Sequence, residues 1–165
     1  MMNQVNTITR AVVLAAALTG LGVGPAFADA TAFIGANRTP SNRMVRGFAV
    51  GVAVLVVGVE FEYAHTPDDA EARAPSLKTG MGNVLLQAPF PIYGIQPYVT
   101  TGGGFYREAL DLHEDTGVGL NIGGGVKVSL MGPLRLRLDY RVFKLGSGAL
   151  HSPAQRVYAG ITLAF

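Results

Sequence analysis

Every second residue of LRLRLDYRVF is apolar: Leu134, Leu136, Leu138, Tyr140 and Val142 alternate with Arg135, Arg137, Asp139, Arg141 and Phe143. A period of two is the repeat of a β-strand, whose successive side chains stand on opposite faces, whereas a helix buries one face with a period of about 3.6. The pattern recurs along the chain. In GVEFEYA, Val59, Phe61 and Tyr63 alternate with Gly58, Glu60, Glu62 and Ala64. In VGLNIGGGVKV, Val118, Leu120, Ile122, Gly124, Val126 and Val128 alternate with Gly119, Asn121, Gly123, Gly125 and Lys127. In the final RVYAGITLAF, Phe165, Leu163, Ile161, Ala159 and Val157 share one face, and Ala164, Thr162, Gly160, Tyr158 and Arg156 the other. No window after residue 28 carries a sustained apolar stripe at helical spacing with capping residues, so the chain reads as all-β.

Turn-forming stretches separate these segments: RTPSNR at 38–43, HTPDDAEARAPS at 65–76, APFPIYG at 88–94, the acidic REALDLHED at 107–115, MGP at 131–133 and LGSGALHSPA at 145–154. One boundary lacks such a signal. GFAVGVAVLVVGVEF is too long for a single strand, and a tight turn is placed in it near 54–56. Strands are then expected near 30–37, 44–53, 57–65, 77–87, 94–106, 116–129, 133–144 and 155–165, about eight in all. An even count with sequential neighbours suits an up-and-down antiparallel barrel. The first, third, fifth and seventh connections are mostly longer and more polar, and the second, fourth and sixth are short and apolar or Pro-rich. That asymmetry is the rim pattern of outer-membrane barrels, with both termini on the short-turn, periplasmic side.

The N-terminal region has a different character. Arg10 precedes the apolar run AVVLAAALTGLGVG, then Pro25 and Ala26-Phe27-Ala28, the small-x-small pattern of a signal peptidase site. Residues 1–28 therefore read as a cleaved signal peptide and 29–165 as one barrel domain. The run is too short for a membrane helix, which takes about 20 residues. The chain has no cysteine, so the exported domain has no disulfides or thiolate metal site to hold it together. A net charge of +2 without a Lys/Arg cluster interleaved with aromatics gives no footprint for nucleic acid.

The faces allow two readings. A soluble lipocalin-like carrier would turn its apolar face inward, and a barrel in lipid would turn it outward. Charged residues make up 15% of the chain, below the roughly 25% usual for soluble domains, and the polar face is rich in glycine. A water-facing side of that kind is poorly solubilised, so the composition favours lipid outside and a filled polar lumen inside. Glu60, Glu62, Lys127, Arg135, Arg137, Asp139, Arg141 and Arg156 fall on the lumen face, and Glu60 and Glu62 are expected to pair across it with Arg135, Arg137 or Arg141. Phe61, Tyr63, Phe105, Tyr140 and Phe165 lie near strand ends, where aromatic belts form.

The terminal Tyr158-x-Gly160-x-x-Leu163-x-Phe165 resembles the C-terminal β-signal of bacterial outer-membrane proteins. With GNVLL at 82–86, QPYVTTGGGFY at 96–106 and GPLRLRLDYRVF at 132–143, the chain resembles the small outer-membrane barrel superfamily of OmpX-like proteins and the OmpA transmembrane domain. It departs from that group in having no Trp for its girdles and no peptidoglycan-binding domain. The resemblance implies a monomer in the outer membrane of a Gram-negative cell, surrounded by lipid and lipopolysaccharide. Tyr158, Gly160, Leu163 and Phe165 would be read by the barrel assembly machinery through strand addition.

Some barrels of the superfamily modify lipid A, and a few side chains here offer candidate chemistry. His65, His113 and His151 fall in or beside loops, and His151-Ser152 with Glu114 or Asp115 could be drawn as a Ser/His/acid set, although no nucleophile motif surrounds Ser152. His65 with Asp68, Asp69 and Glu71, or His113 with Asp111, Glu114 and Asp115, could hold a divalent ion; solvated acidic loops account for both. TGGGF and IGGGV lack the Lys-Ser/Thr of a phosphate loop. The expected function is a non-enzymatic structural or interaction role without a cofactor, with at most a narrow ion path. A lipid A-modifying barrel and a soluble carrier are the alternatives.

Overall fold

The computed structural model describes residues 26–110 and 113–165, so the segment expected to be a signal peptide lies almost wholly outside the described residues. Eight strands follow one another: β1 (Ala26–Asn37), β2 (Arg43–Val54), β3 (Val57–Thr66), β4 (Ser76–Gln87), β5 (Ile95–Leu110), β6 (His113–Met131), β7 (Leu134–Lys144) and β8 (Ala154–Ala164). Each pairs antiparallel with the next, and β1 pairs with β8 from Asp29↔Ala164 to Asn37↔Arg156. The sheet is a closed up-and-down barrel without a free edge, which satisfies every ladder within the ring.

The alternation of the sequence becomes inside and outside. In β7, Arg137, Asp139 and Arg141 point into the lumen and are 0–3% exposed, while Leu138 and Tyr140 face out at 44% and 43%. Around the ring the outward positions carry Val50, Val52, Val59, Val84, Val99, Leu120, Ile122 and Ile161, all exposed. This is the inverse of a lipocalin-like carrier, whose apolar side would be turned inward.

The start of β1 at Ala26, Phe165 and the connections 55–56, 88–94 and 132–133 sit at one end of the barrel, here the terminal rim. The connections 38–42, 67–75 and 145–153, with the ends of β5 and β6 at Leu110 and His113, sit at the other, the loop rim. The turn between β2 and β3 is Leu55-Val56, with Leu55 in the left-handed region at φ 52°, so no glycine marks it in the sequence. Gly132, at φ 54°, turns the chain between β6 and β7.

Two expectations are corrected. REALDLHED is not a loop. β5 runs on to Leu110 and β6 starts again at His113, with Arg107↔Thr116, Glu108↔Asp115 and Ala109↔Glu114 in register. Charged side chains hold this extension: Arg107 bonds Glu114 at 2.5 Å, and the Tyr106 hydroxyl donates to Asp115 at 2.5 Å. β1 begins at Ala26 rather than near residue 30, so Ala26, Phe27 and Ala28 of the expected cleavage motif pair with Val54, Ala53 and Val52.

The Gly-rich runs make room. A Cβ on Gly125 would lie 2.1 Å from the Leu138 carbonyl oxygen and 2.7 Å from the Tyr98 hydroxyl, and one on Gly123 would lie 2.7 Å from Cγ of Arg141. Glycine at these lumen-facing positions of β6 lets the long side chains of β5 and β7 cross the interior.

Candidate functional site

The lumen is filled in layers. Next to the terminal rim, Lys127 of β6 donates to Asp29 of β1 at 2.5 Å, and Arg135 of β7 donates to Gln96 at 3.2 Å. A small cavity of about 140 Å3 opens there, bordered by Asp29, Gln87, Gln96, Lys127 and Arg135.

Above it lies the central network. Arg137 reaches from β7 to both carboxylate oxygens of Glu60 on β3, and its Nε donates to the Tyr98 hydroxyl at 2.7 Å. Arg141 donates to Glu60 and Asp139, each at 2.9 Å, and lies 3.2 Å from Glu62. Arg156 of β8 donates to Glu62 at 3.0 Å and to Thr79 at 3.1 Å. The hydroxyl of Tyr98 donates to Asp139 and that of Tyr158 to Glu62 at 3.2 Å. Three guanidiniums and three carboxylates are thus interlocked with two phenols, away from water. Burial of single charges would cost several kcal/mol each, and mutual pairing offsets it.

Towards the loop rim the lumen turns apolar. Leu77, Met81, Tyr106, Phe143, Leu145 and Ala154 form one buried cluster, and Phe33, Val45, Ala64 and Tyr158 another. Phe33 stacks on Tyr158 with centroids 4.1 Å apart, and the Arg156 guanidinium lies 4.3 Å from the Phe143 ring centre. Above these, Arg43 donates to the carbonyls of Pro67, Pro75 and Thr39, fastening the first and third loops over the opening. Glu108 accepts from the Leu150 amide at 2.9 Å and ties in the seventh.

Of the residues expected in the lumen, Glu60, Glu62, Arg137, Asp139, Arg141 and Arg156 come together in the network. Lys127 sits below it with Asp29. Arg135 does not reach Glu60 or Glu62; it lies nearer the terminal rim, half-buried beside Gln96. Sequence reasoning missed Asp29, Tyr98 and Asn83, the last of which accepts from Asn121 of β6 at 2.8 Å. Each lies on the lumen face of its strand, and alternation extended through β1, β4 and β5 would have found them.

Among the described residues the candidate chemical sets are not brought together. The Ser152 hydroxyl bonds the amide and carbonyl of Leu145 at 3.1 and 3.4 Å, bracing the seventh loop. Among the described residues no group of three His, Asp or Glu side chains could hold a metal ion; Asp111 and the side chain of His113 lie outside the described residues.

No protein-family model matches the sequence, and no curated protein does. Solved structures do match. The N-terminal β-barrel domain of Pseudomonas aeruginosa OprF superposes with a TM-score of 0.64 at 16% identity, over 84% of this chain and 97% of that one. Neisserial surface protein A gives 0.63 at 16% identity, over 85% and 96%. A de novo designed transmembrane β-barrel gives 0.56 at 15% identity, over 84% and 95%. The fold is that of the small transmembrane β-barrels. At these identities the likeness is one of architecture, and this barrel's lumen chemistry has to be read from its own residues.

Proposed function

We propose that this protein is an integral outer-membrane barrel with a structural or interaction role, without catalysis. The observation that carries the reading is the inverted distribution of side chains: a ring of exposed Val, Leu, Ile and Phe surrounds a buried, charge-paired interior. Water would leave the outer surface unsolvated, and lipid would not. The solved barrels with this fold, including the OprF domain and Neisserial surface protein A, support the outer membrane as its place.

In that membrane the terminal rim faces the periplasm and the loop rim faces outward, as the connection lengths favour. The lumen holds side chains instead of a column of water, leaving at most a narrow ion path. Tyr158, Gly160, Leu163 and Phe165 act as the recognition strand for the barrel assembly machinery. Leu163 and Phe165 point outward, and the Phe165 backbone pairs with Ala28 at 2.9 Å in both directions.

Gel mobility tests the reading. Purified mature protein in detergent should run fast and compact unboiled, slow after boiling, and fractionate with outer membranes. Equal mobility with and without boiling, together with recovery in the osmotic-shock supernatant, would overturn it. Unchanged lipid A mass on expression is the expected result for a non-enzymatic barrel.

A further inference from the structure

Outward-facing charge is confined to the loop-rim end of the strands, and four of those side chains form one row. Arg46, His65, Lys78 and Arg107 are successive cross-strand partners on β2, β3, β4 and β5: Arg46↔His65, His65↔Lys78 and Lys78↔Arg107. Nothing in the barrel's own packing requires them. Among the described residues the side chains of Arg46 and Lys78 make no hydrogen bond or salt bridge within the protein, and Nδ1 of His65 is shielded without a partner. Arg107 shares its charge with Glu114, and Asp68 in the third loop lies within electrostatic reach of His65.

The surroundings of the row are those of a membrane interface. One outward position deeper, Phe48, Tyr63 and Phe105 form an aromatic row, with Phe48 and Tyr63 rings 5.8 Å apart. From Arg46 to the end of β2 at Val54 the strand runs about 26 Å, or about 20 Å along the axis at a tilt of about 40°, close to the height of a barrel's apolar band. The bases therefore stand at headgroup level. Beside Arg46, His65 and Lys78 the wall is hollowed into a shallow apolar groove of about 890 Å3, floored by the small outward residues Ala32 and Ala159 and walled by Ile34, Phe48 and Ile161.

A cationic row above an acyl-sized groove has the chemistry of one amphiphile. We infer that this face binds a phosphorylated lipid of the outer leaflet, with an acyl chain in the groove and phosphates on the Arg46/His65/Lys78/Arg107 row. The row spans three strand spacings, about 14 Å, enough for two phosphates on one headgroup. That length favours a bisphosphorylated glycolipid of the lipid A class over a single-phosphate phospholipid. The inference rests on the outer-membrane reading above and adds a place and a ligand to it.

Native mass spectrometry of the detergent-refolded barrel, titrated with bisphosphorylated lipid A, its dephosphorylated form, phosphatidylglycerol or inorganic phosphate, tests it. The phosphorylated form should bind about thirtyfold tighter than the dephosphorylated one, and Arg46→Gln/Lys78→Gln should remove that difference while keeping the fast unboiled band. Should the double variant fail to give that band, Lys78→Gln alone is read in its place, with a loss of about fivefold expected. Equal binding of the dephosphorylated lipid, or unchanged binding by the variant, overturns the inference. Phosphatidylglycerol binding as tightly overturns the two-phosphate assignment, and displacement by equimolar inorganic phosphate overturns the lipid source. A wild-type chain with no fast band fails earlier, at the outer-membrane reading, and the inference falls with it.

Discussion

Arg137 and Glu60 face each other across the barrel, guanidinium to carboxylate through both pairs of atoms, at 0% and 5% exposure. Neither charge has water to return to. Glu60→Ala or Arg137→Ala alone should lower unfolding stability by about 3–5 kcal/mol, because the abandoned partner stays buried. The double variant Glu60→Leu/Arg137→Met removes one charge of each sign and should cost less than either single change. Urea titration followed by gel mobility in detergent measures all three. A double variant weaker than both singles would show that the pair itself, and not the orphaned charge, carries the energy.

Glycine positions should separate by face. At Gly125 an added methyl meets the Leu138 carbonyl and Tyr98, so Gly125→Ala should destabilise by about 1–3 kcal/mol. At Gly82, which faces outward with only the Gly103 carbonyl oxygen 3.8 Å away, Gly82→Ala should be neutral or stabilising by about 0.4–1 kcal/mol. The same urea series ranks them.

Ion passage meets two barriers in series, the charge network and the apolar cluster around Phe143 and Met81. Planar-bilayer recordings of the wild-type barrel should therefore be silent. Arg137→Ala should stay silent as well, since the apolar layer remains, and steps should appear only when Phe143→Ala is added. Conductance in Arg137→Ala alone would place the whole barrier in the salt bridges.

Phe165 offers a separation of assembly from stability. Its ring is 71% exposed, and its strand pairing with Ala28 is through the backbone. Phe165→Ala should change unfolding stability by no more than about 1 kcal/mol, yet reduce the amount reaching the outer membrane several-fold in cells. Pulse-chase accumulation beside urea titration of the refolded variant checks both halves. A loss of stability matching the loss of assembly would remove the recognition role.

The strands were legible because lipid outside and charge inside force a strict alternation, clearest in β3, β6 and β7. What the alternation could not supply was pairing between strands far apart in sequence. Glu62 meets Arg156 across 94 residues, and that match depends on the stagger with which the barrel closes. Arg135 looked equivalent to Arg137 by parity, but lying two residues nearer the rim leaves it with Gln96. Asp29 was obscured by its place beside an expected cleavage site. The β2–β3 turn, expected near 54–56 from length alone, falls at Leu55-Val56 although Leu55 has to adopt a glycine-like backbone angle, and the β5–β6 hairpin differs from the expectation because acidic residues suggested a loop where they pair across two strands.

Among the described residues, the barrel's interior carries Arg43, Lys127, Arg135, Arg137, Arg141 and Arg156 against Asp29, Glu60, Glu62, Glu108, Asp115 and Asp139, six charges of each sign. Their sum is zero, so the interior has no monopole to draw counterions into the bilayer with it. An approaching ion of either sign feels only short-ranged local dipoles. Added electrolyte, which weakens forces acting across a Debye length, has little purchase on contacts of 3 Å sealed from water. The interior should therefore be indifferent to the ionic strength outside, while the basic row on its outer face remains exposed to it.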